Sequence, residues 1–242
     1  MNPNKLFIYY GMSTQKFSKL IVAIDGPAGA GKSTVTKKVA KALHLTYLDT
    51  GAMYRAITWL VLKSRIALED EKAIAELIKT VTLCLIDDFK QETSQILING
   101  ENVTKNIRTL EVTQSVSLIS AQVAVRNKLV RHQREIGCSR GVVAEGRDIG
   151  TNVFPDADIK IFLTASVEER AKRRLIDYES QKLENISIHE LKKDIKARDY
   201  QDSYRKIAPL CKATDAIELN TDGLTVEEVT SQIILICKSY VE

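Results

Sequence analysis

One eight-residue stretch limits the fold of this chain more than any other: Gly26-Pro27-Ala28-Gly29-Ala30-Gly31-Lys32-Ser33. It fits the pattern G-x-x-x-x-G-K-[ST] in full and lies directly after the apolar run Leu20-Ile21-Val22-Ala23-Ile24-Asp25. Such a run reads as a strand buried on both faces, as in a parallel sheet. The glycines let the backbone turn tightly and aim successive N–H groups inward as an anion nest, and a helix opening near Lys32 adds the positive end of its dipole. The stretch Gly26 to Thr34 is therefore expected to cradle the phosphates of a nucleoside triphosphate. Lys32 would reach the β- and γ-phosphates, and the Ser33 hydroxyl would ligate Mg²⁺. A chance match in a glycine-rich turn is the weaker reading, because the flanking strand and helix are both in place.

The pattern around the loop predicts a doubly wound α/β fold. Helical spacing runs from Val35 to Leu43, a second short strand covers Leu45 to Asp49, and a helix follows from Ala52 to Lys63. Further strands are expected at Gly141–Glu145, Ile159–Leu163 and Ala216–Leu219, giving a parallel sheet of about five, with a last helix from Val226 to Lys238. Between the halves, Glu71 to Lys79 is helical. Val81–Ile86 and Gln95–Ile98 have strand character, and Asn99-Gly100 is a hairpin signal. The expected organisation is an extension over 1–18 and a single domain over 19–242. Its core is about 19–63 and 109–242, with a small β-containing lobe inserted at about 64–108.

Composition removes several function classes. The 242 residues carry a formal net charge of +4, and 44% are hydrophobic, an ordinary balance for a globular protein. No apolar run approaches a membrane span, and the aromatic-rich Lys5–Tyr10 is too short for a signal peptide. Cys84, Cys138, Cys211 and Cys237 stand in no ligand spacing and are expected to be buried or half-buried free thiols in a reducing, cytoplasmic setting. The basic residues between Ser166 and Lys206 are interleaved with acidic ones, unlike the one-sign stripe of a nucleic-acid face. That segment reads as an arginine-bearing cover over a nucleotide site, with Arg173, Arg198, Asp202 and Arg205 as its functional members and its other charges as a solvated surface.

Two further segments fall at the sheet edge that the phosphate loop occupies. Asp49-Thr50-Gly51-Ala52-Met53-Tyr54-Arg55 opens the second helix, and Glu145-Gly146-Arg147-Asp148-Ile149-Gly150 follows a strand. Arg55 can present a fork of donors to a phosphate dianion, and an arginine beside an aspartate suits phosphate and base recognition. The phosphate loop alone serves switches, motors and kinases alike; neither N-K-x-D nor D-x-x-G accompanies it here.

Taken in order, these segments resemble the bacterial cytidylate kinases over nearly the whole chain from Leu20. The carriers are Ile24–Thr34, Leu48–Arg55, Ile107–Val112, Gly146–Thr151, Val153–Ala157, and Arg198-Asp199 with Asp202, Arg205 and Ala208-Pro209-Leu210. The resemblance implies transfer of the terminal phosphoryl group of ATP to CMP or dCMP, with Mg²⁺, by a protein expected to act as a monomer without nucleic acid or membrane. It implies that Arg55, Arg147 and Arg205 hold the acceptor phosphate, that Ser117, Arg126 and Asp148 read cytosine, and that Arg198 and Asp202 lie near sugar and phosphates. Thr50 and Tyr54 fall within the matching acceptor motif. Arg173 would contact the donor nucleotide from the cover. Glu145 stands where aspartate is frequent in the family, and its role is left open. A kinase for UMP or AMP, or a regulatory ATPase, remains an alternative at this point.

Overall fold

In a computed structural model of the chain, residues 17, 19–88, 93–139, 141–180 and 187–241 are described below. The expected extension, apart from Phe17, lies outside them. The central sheet contains β1 (Ile21–Asp25), β2 (Thr46–Asp49), β6 (Val142–Gly146), β7 (Ile159–Thr164) and β8 (Ile217–Asn220). Its order is β2-β6-β1-β7-β8, and every neighbouring pair is parallel. A separate antiparallel sheet is formed by β3 (Leu83–Asp88), β4 (Thr93–Ile98) and β5 (Glu101–Asn102).

Alternation along the strands divides the core in two. Ala23, Leu48, Val142 and Ala144 face one apolar cluster, which holds α2 (Thr50–Lys63), α3 (Glu71–Lys79), α4 (Leu110–Ser120) and α5 (Val123–Ser139). Val22, Ile24, Tyr47, Val143 and Ile161 face the other, built with α1 (Lys32–Leu43) and α8 (Val226–Val241). The near-continuous apolar strands follow from this, since both faces of the sheet are covered. A third small cluster of Ala171, Leu191 and Ile195 joins α6 (Val167–Ser180) to α7 (Ile188–Tyr204).

The five strands agree with expectation, and the helix starts have local causes. Helix α1 starts at Lys32, as expected from the phosphate-loop motif, because left-handed Gly31 turns the chain directly into the helix. Helix α2 starts at Thr50 because Asp49 Oδ1 accepts the Ala52 N–H at 2.8 Å as an N-cap. Strand β8 is an edge strand and mostly exposed. The cysteine expectation is corrected too: only Cys237 is buried, while Cys84, Cys138 and Cys211 are exposed. Among the described residues no helix is long and apolar enough to cross a membrane.

Candidate active site

The carboxyl ends of β1, β2 and β6 open on one edge, where the starts of α1 and α2 also lie. Together with α6 and α7 they enclose a cleft of ≈ 1020 Å³, at the upper end of the range for ligand pockets. Its floor is the phosphate loop. Gly26 has φ 146°, and a Cβ there would stand 2.1 Å from the Leu163 carbonyl oxygen, so no side chain fits. The first turn of α1 has no side-chain cap and no acidic residue. In α2, α3, α4 and α7, by contrast, Asp49, Asp70, Thr109 and Ser187 cap the start. The α1 amides are thus left for an anion. Lys32 is buried, with Nζ donating to the Pro27 carbonyl at 2.6 Å. Burial, and then Arg147, hold its pKa well below the usual lysine range against the pull of Glu145 and Asp25.

Beside the loop, Glu145 at the end of β6 receives two hydroxyl groups. Ser33 Oγ donates to Oε2 at 2.9 Å and Tyr47 Oη to Oε1 at 2.5 Å. Burial, and then Asp49, raise the Glu145 carboxyl to about 7, with Lys32 and the two hydroxyls opposing. Thr50 is buried and donates its hydroxyl at 2.7 Å to the Glu145 carbonyl, which joins the start of α2 to β6. Ser33 and Glu145 together offer the hard oxygen donors that suit Mg²⁺.

The cleft wall is cationic. Arg55, Arg147, Arg173, Arg174 and Arg198 all line it. Among the described residues Arg55 donates to neutral groups, the Ile107 carbonyl at 3.3 Å and Thr113 Oγ1 at 2.8 Å. Burial, and then the nearby Arg108, lower its pKa to about 10. Arg147 Nε donates to Asp202 Oδ2 at 2.9 Å. Burial pushes the Asp202 carboxyl up, but Arg147 and Arg198 more than offset this and hold it below its ordinary value. Arg198 Nε is buried without a hydrogen-bond partner, and burial followed by Arg147 lowers the guanidinium to about 9. Arg173 bonds Glu169 at 3.0 Å, Thr221 Oγ1 at 3.0 Å and the Thr221 carbonyl at 2.8 Å. A Cβ on Gly31 would lie 3.6 Å from Arg173 Nη1, so this arginine stands against the phosphate loop.

Behind the cleft wall lies a second cluster, centred on Asp148. Its Oδ2 accepts from Arg126 Nη2 and, at 3.0 Å, from Asn152; its Oδ1 accepts from Arg205 Nη2 at 3.0 Å. Arg126 and Asp148 are both buried, and the Arg126 guanidinium lies 5.6 Å from the centre of the Tyr54 ring. Arg126 Nη1 also donates to the Ser120 carbonyl at 3.2 Å. Ser120 Oγ in turn donates to the carbonyl of Ser117, which is half-buried on α4. Arg205 Nε bonds the Ala208 carbonyl at 2.7 Å. The acceptor-phosphate set inferred from sequence is thereby divided: Arg55 and Arg147 line the cleft, whereas Arg205 is engaged by Asp148.

Sequence reasoning missed several residues that this arrangement uses. Arg170, read as part of a solvated surface, is buried and makes four bonds. It donates to the Ala165 carbonyl (3.0 Å), the Ala28 carbonyl of the phosphate loop (3.1 Å) and both Asp199 oxygens (3.0 and 2.7 Å). Asp199 lies 29 positions away, so no local pattern reveals the pair. Tyr47 was read only as a strand residue; its hydroxyl gives it a second role at Glu145.

Comparison with known proteins identifies the family. A family model described as cytidylate kinase matches residues 22–239. The bifunctional pantoate ligase/cytidylate kinase of Nostoc sp. is 57% identical over 215 residues, covering 88% of this chain and 40% of that protein. The protein of the same name from Synechocystis sp. is 56% identical over 220 residues, covering 91% and 43%. This chain therefore spans about two fifths of the length of these relatives. Among solved structures, a shikimate kinase from Acinetobacter baumannii overlays loosely, with a TM-score of 0.42 at 18% identity, covering 92% of this chain and 96% of that one. The phosphate loop, the arginine-lined cleft and the family match together place the chain in the cytidylate kinase family.

Proposed function

We propose that the protein transfers the γ-phosphoryl group of ATP to CMP or dCMP, giving ADP and CDP or dCDP. The observation that carries this reading is the set of buried and half-buried cations gathered in one cleft, above all Arg198 with its unpartnered Nε, together with Lys32, Arg55 and Arg147. Such a set is unfavourable when empty and calls for the polyanionic groups of two nucleotides.

No covalent intermediate is needed. An oxygen of the acceptor monophosphate is already a nucleophile at neutral pH; it bonds to the γ-phosphorus as the bond to the β–γ bridging oxygen breaks. That oxygen keeps the electron pair and leaves as part of ADP. Catalysis is then alignment and charge stabilisation. In this reading the Gly26–Thr34 loop and Lys32 hold the donor phosphates, and Arg173 supports them from α6. Arg55 and Arg147 hold the acceptor phosphate, and Arg198 lies between the two. Ser33, with Glu145 beside it, would hold Mg²⁺, which neutralises charge on the β- and γ-oxygens when bound.

The Asp148 cluster suits cytosine. An ionised carboxylate offers about four lone-pair positions, and Arg126, Asn152 and Arg205 occupy three of them. The remaining one can accept from the 4-amino group of cytosine, while Arg126 faces its O2 and N3 acceptors and Ser117 closes the site. On this reading Arg205 moves between Asp148 and the acceptor phosphate, and Asp202 contacts ribose hydroxyls. Residues 64–108 are then the acceptor-side insert, and the α6–α7 hairpin within 166–206 is the lid that excludes water.

A coupled assay of ADP release with CMP, dCMP, UMP, AMP and GMP as parallel acceptors tests the proposal. Turnover with CMP or dCMP well above the purines is expected. ADP release that is indifferent to every acceptor would indicate an ATPase instead.

A further inference from the structure

Asp25 is the last residue of β1 and directly precedes Gly26. Its side chain is only 4% exposed. Oδ1 accepts the Ile149 N–H at 2.8 Å and Oδ2 accepts the Gly150 N–H at 2.7 Å. Those two amides belong to a single π-helical turn, Ile149–Val153, and follow Arg147 and Asp148 without a gap. The β1–β6 ladder ends at the Asp25–Gly146 pair. Beyond it the chain that carries Arg147 and Asp148 leaves the sheet, and the Asp25 carboxylate takes over where main-chain pairing stops.

A carboxylate suits this place because both of its oxygens accept at once; an asparagine offers one acceptor and an amino group that would oppose an N–H. Stability alone does not account for the choice. Burial pushes the Asp25 carboxyl up to about 6, with the Gly150 and Ile149 amides, and more weakly Lys32, pulling it down and Asp148 pushing it up. A charge is thus kept where the surroundings disfavour it. What it secures is the spacing between two loops that belong to opposite substrates.

We propose that Asp25 is a positioning residue for phosphoryl transfer, a two-pronged tether that fixes the Arg147-Asp148 segment against the phosphate loop. It acts through Arg147 and Asp148 and touches neither nucleotide. The proposal rests on the kinase reading above, so its test needs one readout that is independent of turnover.

Asp25→Asn, Asp25→Ala, Arg147→Ala and the Asp25→Asn/Arg147→Ala double variant serve, with kinetics in both substrates and amide hydrogen exchange over residues 147–153. Loosening the tether misplaces acceptor-side groups, so kcat/KM for CMP falls between about tenfold and about 10²-fold in Asp25→Asn and further in Asp25→Ala. KM for ATP stays within about twofold, because the phosphate loop keeps its own bonds. In the double variant the combined loss is smaller than the product of the single losses, since Asp25 acts through the group already removed. Exchange over 147–153 speeds up in Asp25→Asn.

Equal changes in the constants for ATP and CMP, or multiplicative losses in the double variant, would reduce Asp25 to a general structural residue. Unchanged exchange in 147–153 would refute the tether whatever the activity. A wild-type enzyme that phosphorylates no acceptor while exchange still rises in Asp25→Asn would sink the kinase reading and the catalytic purpose of Asp25, leaving the tether as a structural link.

Discussion

Replacing Asp148 by asparagine separates two properties of the buried cluster, its contribution to stability and its reading of the base. In the folded protein the Asp148 carboxylate receives Arg126 on one oxygen and Arg205 on the other, and the exposed fractions of their side chains are 6%, 3% and 7%. Asparagine keeps the shape but removes the charge and one acceptor, leaving two buried guanidinium groups with half their partner. Breaking a buried, hydrogen-bonded charge pair from one side costs about 3–5 kcal/mol. For a chain of this size each kcal/mol corresponds to about 2–4 °C in Tm, so Asp148→Asn is expected to melt about 6–20 °C lower. The same substitution alters base choice. A carboxylate accepts from the 4-amino group of cytosine and repels O4 of uracil, whereas an amide can turn its NH₂ toward O4. The ratio of kcat/KM for CMP over UMP should therefore fall by at least about tenfold. Thermal melting of the apo protein and steady-state kinetics with both acceptors check the two effects. A variant that melts like the wild type and keeps its CMP preference would show that Asp148 neither anchors the two arginines nor reads the base.

Arg198→Met removes a half-buried cation with a buried, unpartnered Nε, on which the repulsion of Arg147 outweighs the attraction of Asp202. Its expected signature is opposite in sign for the two assays: a Tm raised by about 2–4 °C for about 1 kcal/mol, with turnover greatly reduced. Gly26→Ala places a methyl 2.1 Å from the Leu163 carbonyl oxygen, so ATP binding measured by calorimetry should be lost or the protein should fail to fold. Asp25 supplies a pH test. Its carboxyl rises from 3.8 to about 6 on folding, so the folded state binds the proton more tightly and this group's contribution is fully present below about 3.8. It is lost as pH rises through about 6, an effect of order 3 kcal/mol over the window. The wild type should therefore lose stability relative to Asp25→Asn between about pH 4 and pH 6, measured as the difference in Tm; a flat difference would contradict the shift.

How much of this was legible in the sequence depends on how local each feature is. The phosphate loop announces itself because its chemistry is written in eight consecutive residues between a strand and a helix. Four of the five parallel strands are equally legible, since burial on both faces gives short apolar runs; the exposed edge strand β8 lacks that signature. Helices α4 and α5 were not read from periodicity, because much of their length faces other helices and polar side chains such as Arg126 and Gln133 lie on the buried side. The Asp148 cluster is invisible to pattern: Arg126, Asp148 and Arg205 are separated by 22 and 57 positions, and only the resemblance to the family brought them together. Arg170 and Asp25 were passed over for the same reason. Each looks like an ordinary charge in a charged or apolar stretch until tertiary structure supplies Asp199 in one case and two amides in the other.

The central claim is that the γ-phosphoryl group passes directly to a cytidine monophosphate held in the arginine-lined cleft. Incubation with γ-labelled ATP, Mg²⁺ and CMP, followed by separation of the products, tests it most directly. The account predicts that the label appears in CDP, in step with ADP release, that Lys32→Ala abolishes its transfer and that Arg147→Ala slows it sharply without abolishing it. Label recovered as inorganic phosphate, with CMP unchanged, would contradict it.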